Sequence, residues 1–272
     1  MIDAHHHLWD PAAREYPWLA GDALTPIRRP YTLDDLRAVT PAARTVLVQT
    51  VSSESETEEF LATAAASGGL VAGVVGWVDL TAPDLADRLA ELRGGGLLVG
   101  IRHQAEDEPD PRWLLRPDVL RGLRTLADAG LVYDVLVRPP QLPAAVELAA
   151  LVPTRLVLDH AGKPPIATGD LEPWATAITE LARHPNVTCK LSGLVTEADW
   201  ASWSTQDLRP WADHVLGAFG PERVMFGSDW PVCELAATYA QVTATAEALT
   251  AGLSEAERAA VFGGTAARVY DV

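Results

Sequence analysis

Cysteine is nearly missing from this chain: Cys189 and Cys233 are the only two in 272 residues. Two thiols make no disulfide framework, which points to a reducing, cytoplasmic setting. No stretch has the continuous apolar length of a membrane span. A secretory leader is equally unexpected, because Asp3 and a run of histidines interrupt the start. Positive charge is scarce as well. Lys and Arg number 21 against 37 Asp and Glu, a formal charge of −16. So acidic a chain is a poor main partner for nucleic acid or an anionic membrane. No G-x-G-x-x-G follows an early strand, which weakens any dinucleotide site. No G-x-S-x-G marks a serine nucleophile.

What is present is an apolar content of 48%, ordinary for a globular core, and nine tryptophans. Most of these are read as packing residues, with a few available to stack on a ligand. Apolar, β-branched runs at 1–7, 45–51, 71–78, 97–102, 131–137, 155–159, 187–191 and 223–227 read as strands. Helical patterns lie between them at 35–39, 54–66, 84–92, 117–129, 143–151, 171–183 and 206–219, then at 234–251 and 254–270. Ser254 with Glu257 forms a capping box for the last helix. Strands alternating with helices at this spacing imply parallel βαβ units. Eight such units predict an α/β protein, a (β/α)8 TIM barrel filling 1–272 as one domain. A doubly wound open sheet is the competing architecture.

The chain opens MIDAHHHLWD. In an extended strand, side chains two apart share a face, so Asp3, His5 and His7 are expected on one side and Ile2, Ala4 and His6 on the other. Neighbouring imidazoles at a strand end can grip a divalent metal. The plainer alternative is a tag remnant or a few solvated histidines. In a barrel, chemistry gathers at the C-terminal ends of the strands. His103 follows the fourth run, His160 ends the sixth and Asp229 ends the eighth, while Lys190 lies on the seventh. Each could simply be the first polar loop residue. Together with His5 and His7, they would converge on one barrel face. Ser228 should point away from Asp229 and is read as structural.

The Asp-x-His-x-His opening, Asp159-His-Ala-Gly-Lys-Pro164 and Gly227-Ser-Asp-Trp-Pro231 resemble the amidohydrolase superfamily. Further stretches at 16–19, 100–104, 191–200 and 223–233 are most similar to its sugar-acid lactonase branch, the L-fucono-lactonases above all. One departure stands out. Two-metal members carry a lysine or glutamate on strand four and a histidine on strand five, whereas here strand four ends in Arg102-His103 and strand five has no histidine. The resemblance therefore implies one divalent ion, zinc first, on His5, His7 and Asp229, with a metal-free version kept beside it.

The implied reaction is water attack on a sugar-acid lactone, L-fucono-1,5-lactone or a related aldonolactone. Asp229 is the expected general base. His160 stands beside it, and the ion or the histidines polarise the carbonyl. Arg102, His103, Gln104, Lys163 and Lys190 are candidate substrate contacts. Trp9, Trp18 and Trp230 are candidate stacking surfaces. Lys190 has a second reading, as a buried partner to a carboxylate. The alternatives are a lactonase for L-rhamnonolactone or an unsaturated dicarboxylate lactone, a metal-dependent aromatic-acid decarboxylase, and a non-catalytic sugar-acid binding barrel. The partner is a small molecule, and a homo-oligomer stays open.

Overall fold

A computed structural model describes residues 1–272. The apolar runs form eight strands: β1 (Ile2–His6), β2 (Arg44–Val48), β3 (Val71–Gly76), β4 (Leu98–His103), β5 (Val132–Val135), β6 (Leu156–Leu158), β7 (Val187–Leu191) and β8 (Val224–Phe226). Every neighbouring pair is parallel and the order follows the chain. β1 and β8 meet only at their ends, where His6 bridges Trp230. There the His7 N–H donates to the Trp230 carbonyl at 2.7 Å and the Asp229 N–H to the His5 carbonyl at 2.8 Å. The sheet is thus a nearly closed barrel, the predicted architecture.

Eleven helices follow: α1 (Leu33–Val39), α2 (Glu54–Ala66), α3 (Leu85–Leu92), α4 (Pro117–Asp128), α5 (Leu142–Leu151), α6 (Trp174–Leu181), α7 (Leu194–Glu197), α8 (Thr205–Phe219), α9 (Tyr239–Leu249), α10 (Glu255–Ala259) and α11 (Thr265–Tyr270). The apolar faces of the longer helices cover the sheet. In α4, Val119, Leu123 and Leu126 are buried at the spacing of a helix stripe. No helix is long and apolar enough to cross a membrane.

Three expected helices change shape. The pattern at 234–251 begins as a helix only at Tyr239, because a tight turn at Val232–Leu235 comes first and Thr238 caps α9. The pattern at 171–183 shrinks to α6. The last helix is interrupted at Ala260–Gly264, where Phe262 and Gly263 leave helical angles. The short α7 has too few residues for a periodic signal and goes unseen in the sequence.

Ala4, Val46, Val75, Val132, Val157 and Met225 line the barrel interior. Tyr270 of α11 joins them, so the end of the chain plugs the barrel opposite the strands' C-terminal ends. Above this layer the interior turns polar, with Arg102, Asp134, Asp159 and Lys190 all buried.

Candidate active site

The first correction concerns β1. Its pairing with β2 slips between Asp3 and His6, a bulge that breaks the two-residue alternation. Ala4 and His5 both face the interior. Asp3 instead turns outward, accepting from the Ser228 backbone at 2.8 Å, the Ser228 hydroxyl at 2.6 Å and the Tyr239 hydroxyl at 2.9 Å. Asp3 is thus a clasp between the first strand, the β8 loop and α9, and it is not on the His5 face. Ser228 is structural, as expected.

His5 and His7 keep their shared side, with their Nε2 atoms 3.1 Å apart. The Asp229 Oδ1 lies 3.8 Å from the His5 Nε2, 3.6 Å from that of His7 and 3.8 Å from that of His160. Asp229 and His160 hold left-handed backbone angles, φ 56° and 51°. That conformation is uncommon outside glycine and clusters at functional sites. Two glycines give this group room. A side chain on Gly227 would stand 2.7 Å from the His5 Cβ, and one on Gly193 would stand 2.7 Å from the His160 Nδ1.

Burial sets the protonation. It drives the pKa of His7 down to about 3 and that of His160 to about 4, the latter against the pull of Asp229. Burial and then the Lys190 charge push His5 well below its ordinary range. All three imidazoles are neutral near pH 7, the form that can ligate. Burial raises Asp229, opposed by His160, Lys163 and Arg102.

The hydrogen bonds also suit a metal. The His7 Nδ1 lies 2.7 Å from the Val48 carbonyl. A carbonyl can only accept, so the proton sits on Nδ1 and the Nε2 lone pair faces the site. The nearest donor atoms of His5, His160 and Asp229 lie within 4.8 Å of one another. A donor set of neutral imidazoles and a carboxylate fits a divalent ion of the zinc type.

Beneath His5 lies a buried ion network. The Lys190 Nζ stands 2.5 Å from Asp134, 2.9 Å from Asp159 and 3.1 Å from the His5 Nδ1. Arg102 donates to Asp159 at 3.0 Å and approaches the His5 Nε2 at 3.3 Å. The Tyr270 hydroxyl donates to Asp134 at 2.8 Å. Burial pushes Asp159 upward, but Lys190, His5 and Arg102 overcome it and hold its pKa well below the usual range.

A cavity of about 350 Å³ opens above Asp229. His7, His160, Arg102, Gln104, Lys163 and Trp18 border it, as the sequence reading expects. Four candidate contacts do not. His103 points outward, one position along β4 from Arg102, and stacks on Trp113 at 4.1 Å while its Nε2 meets Glu108 at 2.7 Å. Lys190 has no exposed surface and belongs to the network below, the second of its two readings. Trp9 is core, donating to the Ile27 carbonyl and packed on Trp18 and Tyr31. Trp230 is buried against Tyr31 and donates to Glu234. Glu106, Arg138, Glu197 and Trp200 border the cavity without having been singled out.

Residues 2–272 match the family described as amidohydrolase. The chain belongs to that family. Among amidohydrolase relatives, the L-fucono-1,5-lactonase of Burkholderia multivorans is 46% identical, covering 99% of this chain and 95% of its own. The L-fucono-1,5-lactonase of Burkholderia ambifaria is 38% identical over 100% of this chain and 95% of its own. A crystal structure of an amidohydrolase from Burkholderia multivorans with bound Zn superposes with a TM-score of 0.94. It is 45% identical and covers 100% of this chain and 99% of that one.

Proposed function

We infer that this protein is a lactonase of sugar acids and that L-fucono-1,5-lactone is its substrate. The observation that carries the reading is the approach of the Asp229 Oδ1 to three neutral imidazoles at the floor of an open cavity. The likeness to two L-fucono-1,5-lactonases over nearly the whole chain supports the choice of lactone. Residues 1–272 act as one catalytic domain on this reading, since the site draws on positions from 5 to 229. The two buried, unpaired cysteines suit a reducing cytoplasm.

Asp229 takes a proton from water as the water oxygen bonds to the lactone carbonyl carbon. The carbonyl π pair moves onto oxygen. When it returns, the bond from carbon to the ring oxygen breaks, and Asp229 hands its proton to the departing alkoxide. The product is the open-chain acid. The Ser192 hydroxyl lies 2.9 Å from the His160 Nδ1. With that hydroxyl donating, His160 carries its proton on Nε2 and can steady the developing oxyanion. His5, His7 and Asp229 would hold a divalent ion, zinc by its donor set, and such an ion supplies Lewis-acid polarisation at this floor. Arg102, Gln104 and Lys163 orient the substrate.

A panel of aldonolactones read by pH indicator tests the reading, with fastest opening expected for L-fucono-1,5-lactone. Asp229→Asn should lower kcat by about 10²–10⁴ while circular dichroism is unchanged. An Asn variant of undiminished turnover removes Asp229 as the base. Elemental analysis with chelation tests the ion. A metal-free preparation of full activity leaves His5 and His7 as hydrogen-bonding groups only.

A further inference from the structure

Each cation at the cavity wall is already engaged. Arg102 pairs with Asp159 at 3.0 Å, Lys163 with Glu106 at 2.5 Å, and Arg138 stands 3.5 Å from the same Glu106 oxygen. Glu197 differs. It ends α7, borders the cavity and is partly buried, and its carboxylate takes part in no hydrogen bond or ion pair. The indole N–H of nearby Trp200 donates to the Thr196 carbonyl at 2.8 Å. That bond uses the ring's polar edge, leaving its carbon surface for the cavity it borders.

A carboxylate accepts several hydroxyl hydrogen bonds at once, and an aromatic surface packs on the C–H side of a sugar ring. An anionic lactone would meet an unpaired carboxylate here and no spare cation. We propose that Glu197 and Trp200 recognise the hydroxylated ring of a neutral sugar lactone, with Glu197 accepting from adjacent ring hydroxyls. This rests on the lactonase reading and narrows it to uncharged polyhydroxy lactones.

Calorimetry with two unreactive lactams, L-fucono-1,5-lactam and δ-valerolactam, reads recognition without turnover. The wild type binds the hydroxylated lactam at least about tenfold more tightly, the scale of a hydrogen bond to a charged group. Glu197→Leu loses that preference. Glu197→Gln keeps one acceptor oxygen and recovers part of it. The ratio of kcat/KM for L-fucono-1,5-lactone over δ-valerolactone falls in parallel, through KM. Because both ligands are read on one preparation, partial misfolding does not mimic the result. A Glu197→Leu protein of undiminished preference overturns the proposal. So does a wild type that opens an anionic lactone such as 2-pyrone-4,6-dicarboxylate faster than the neutral sugar lactone. Failure of the lactonase reading looks different: the lactam preference persists while neither lactone is opened.

Discussion

Lys190 has no surface in contact with solvent, yet its ammonium touches Asp134, Asp159 and His5. A charge held this way is costly to bury and more costly to leave half-paired. Lys190→Met should therefore destabilise the fold by about 3–5 kcal/mol, since two carboxylates lose their shared cation. Denaturant unfolding measures that loss. The double variant Lys190→Met, Asp134→Leu should recover part of it, and a simple sum of the two single losses would refute the coupling. This network was only half legible in the sequence. Lys163 and Lys190 are the only lysines in the chain, every other cation being arginine, and that scarcity was the available signal. Their partners Asp134 and Glu106 carry no motif, because pairing across β5, β6 and β7 depends on register, which one strand does not encode. Trp9 and Trp230 misled for the opposite reason. They neighbour functional motifs in sequence, but packing decides which side of the loop a large ring takes.

At the scale of elements, strand order and most helices follow from hydrophobic period and were readable. The bulge in β1 was not, since nothing in Asp-Ala-His distinguishes a flat strand from a slipped one. His103 shows the converse. Simple alternation along β4 places Arg102 and Gln104 on one side and His103 on the other, and following it strictly would have turned His103 outward. Helix ends held to rule. Ser254 and Glu257 form the expected capping box on α10. Bonds from the Ser254 backbone and hydroxyl hold the Glu257 carboxyl below its usual range. A lowered folded-state pKa stabilises above the unfolded-state value, and that contribution fades as pH falls through the folded one. The melting temperature of Glu257→Gln should accordingly lie below that of the wild type at neutral pH. The gap should close as pH drops below the ordinary carboxylate range. A gap constant with pH would assign the effect to something other than charge.

For the whole molecule, the barrel's one weak join coincides with its chemistry. Between β1 and β8 the backbone makes one bridge, at His6 and Trp230, with two bonds flanking it, and the Asp3 clasp on Ser228 is the side-chain reinforcement. Those same residues position His5, His7 and Asp229. Local opening is cheapest where few bonds hold two elements. Mild urea should therefore abolish lactone hydrolysis before the helical circular dichroism changes. Coincident loss of both signals would show that the join opens only with the rest of the barrel.

The outward turn of Asp3 reaches further than its four hydrogen bonds. It ties the chain's third residue to Ser228 and to Tyr239 of α9. During synthesis, His5 and His7 precede Ser228 and Tyr239 by more than two hundred residues, so the clasp cannot exist until those two have been made. Until then the join between the first and last strands has no partner for Asp3, so a product truncated before Ser228 should show no lactone hydrolysis in an activity assay, whatever helices it has formed.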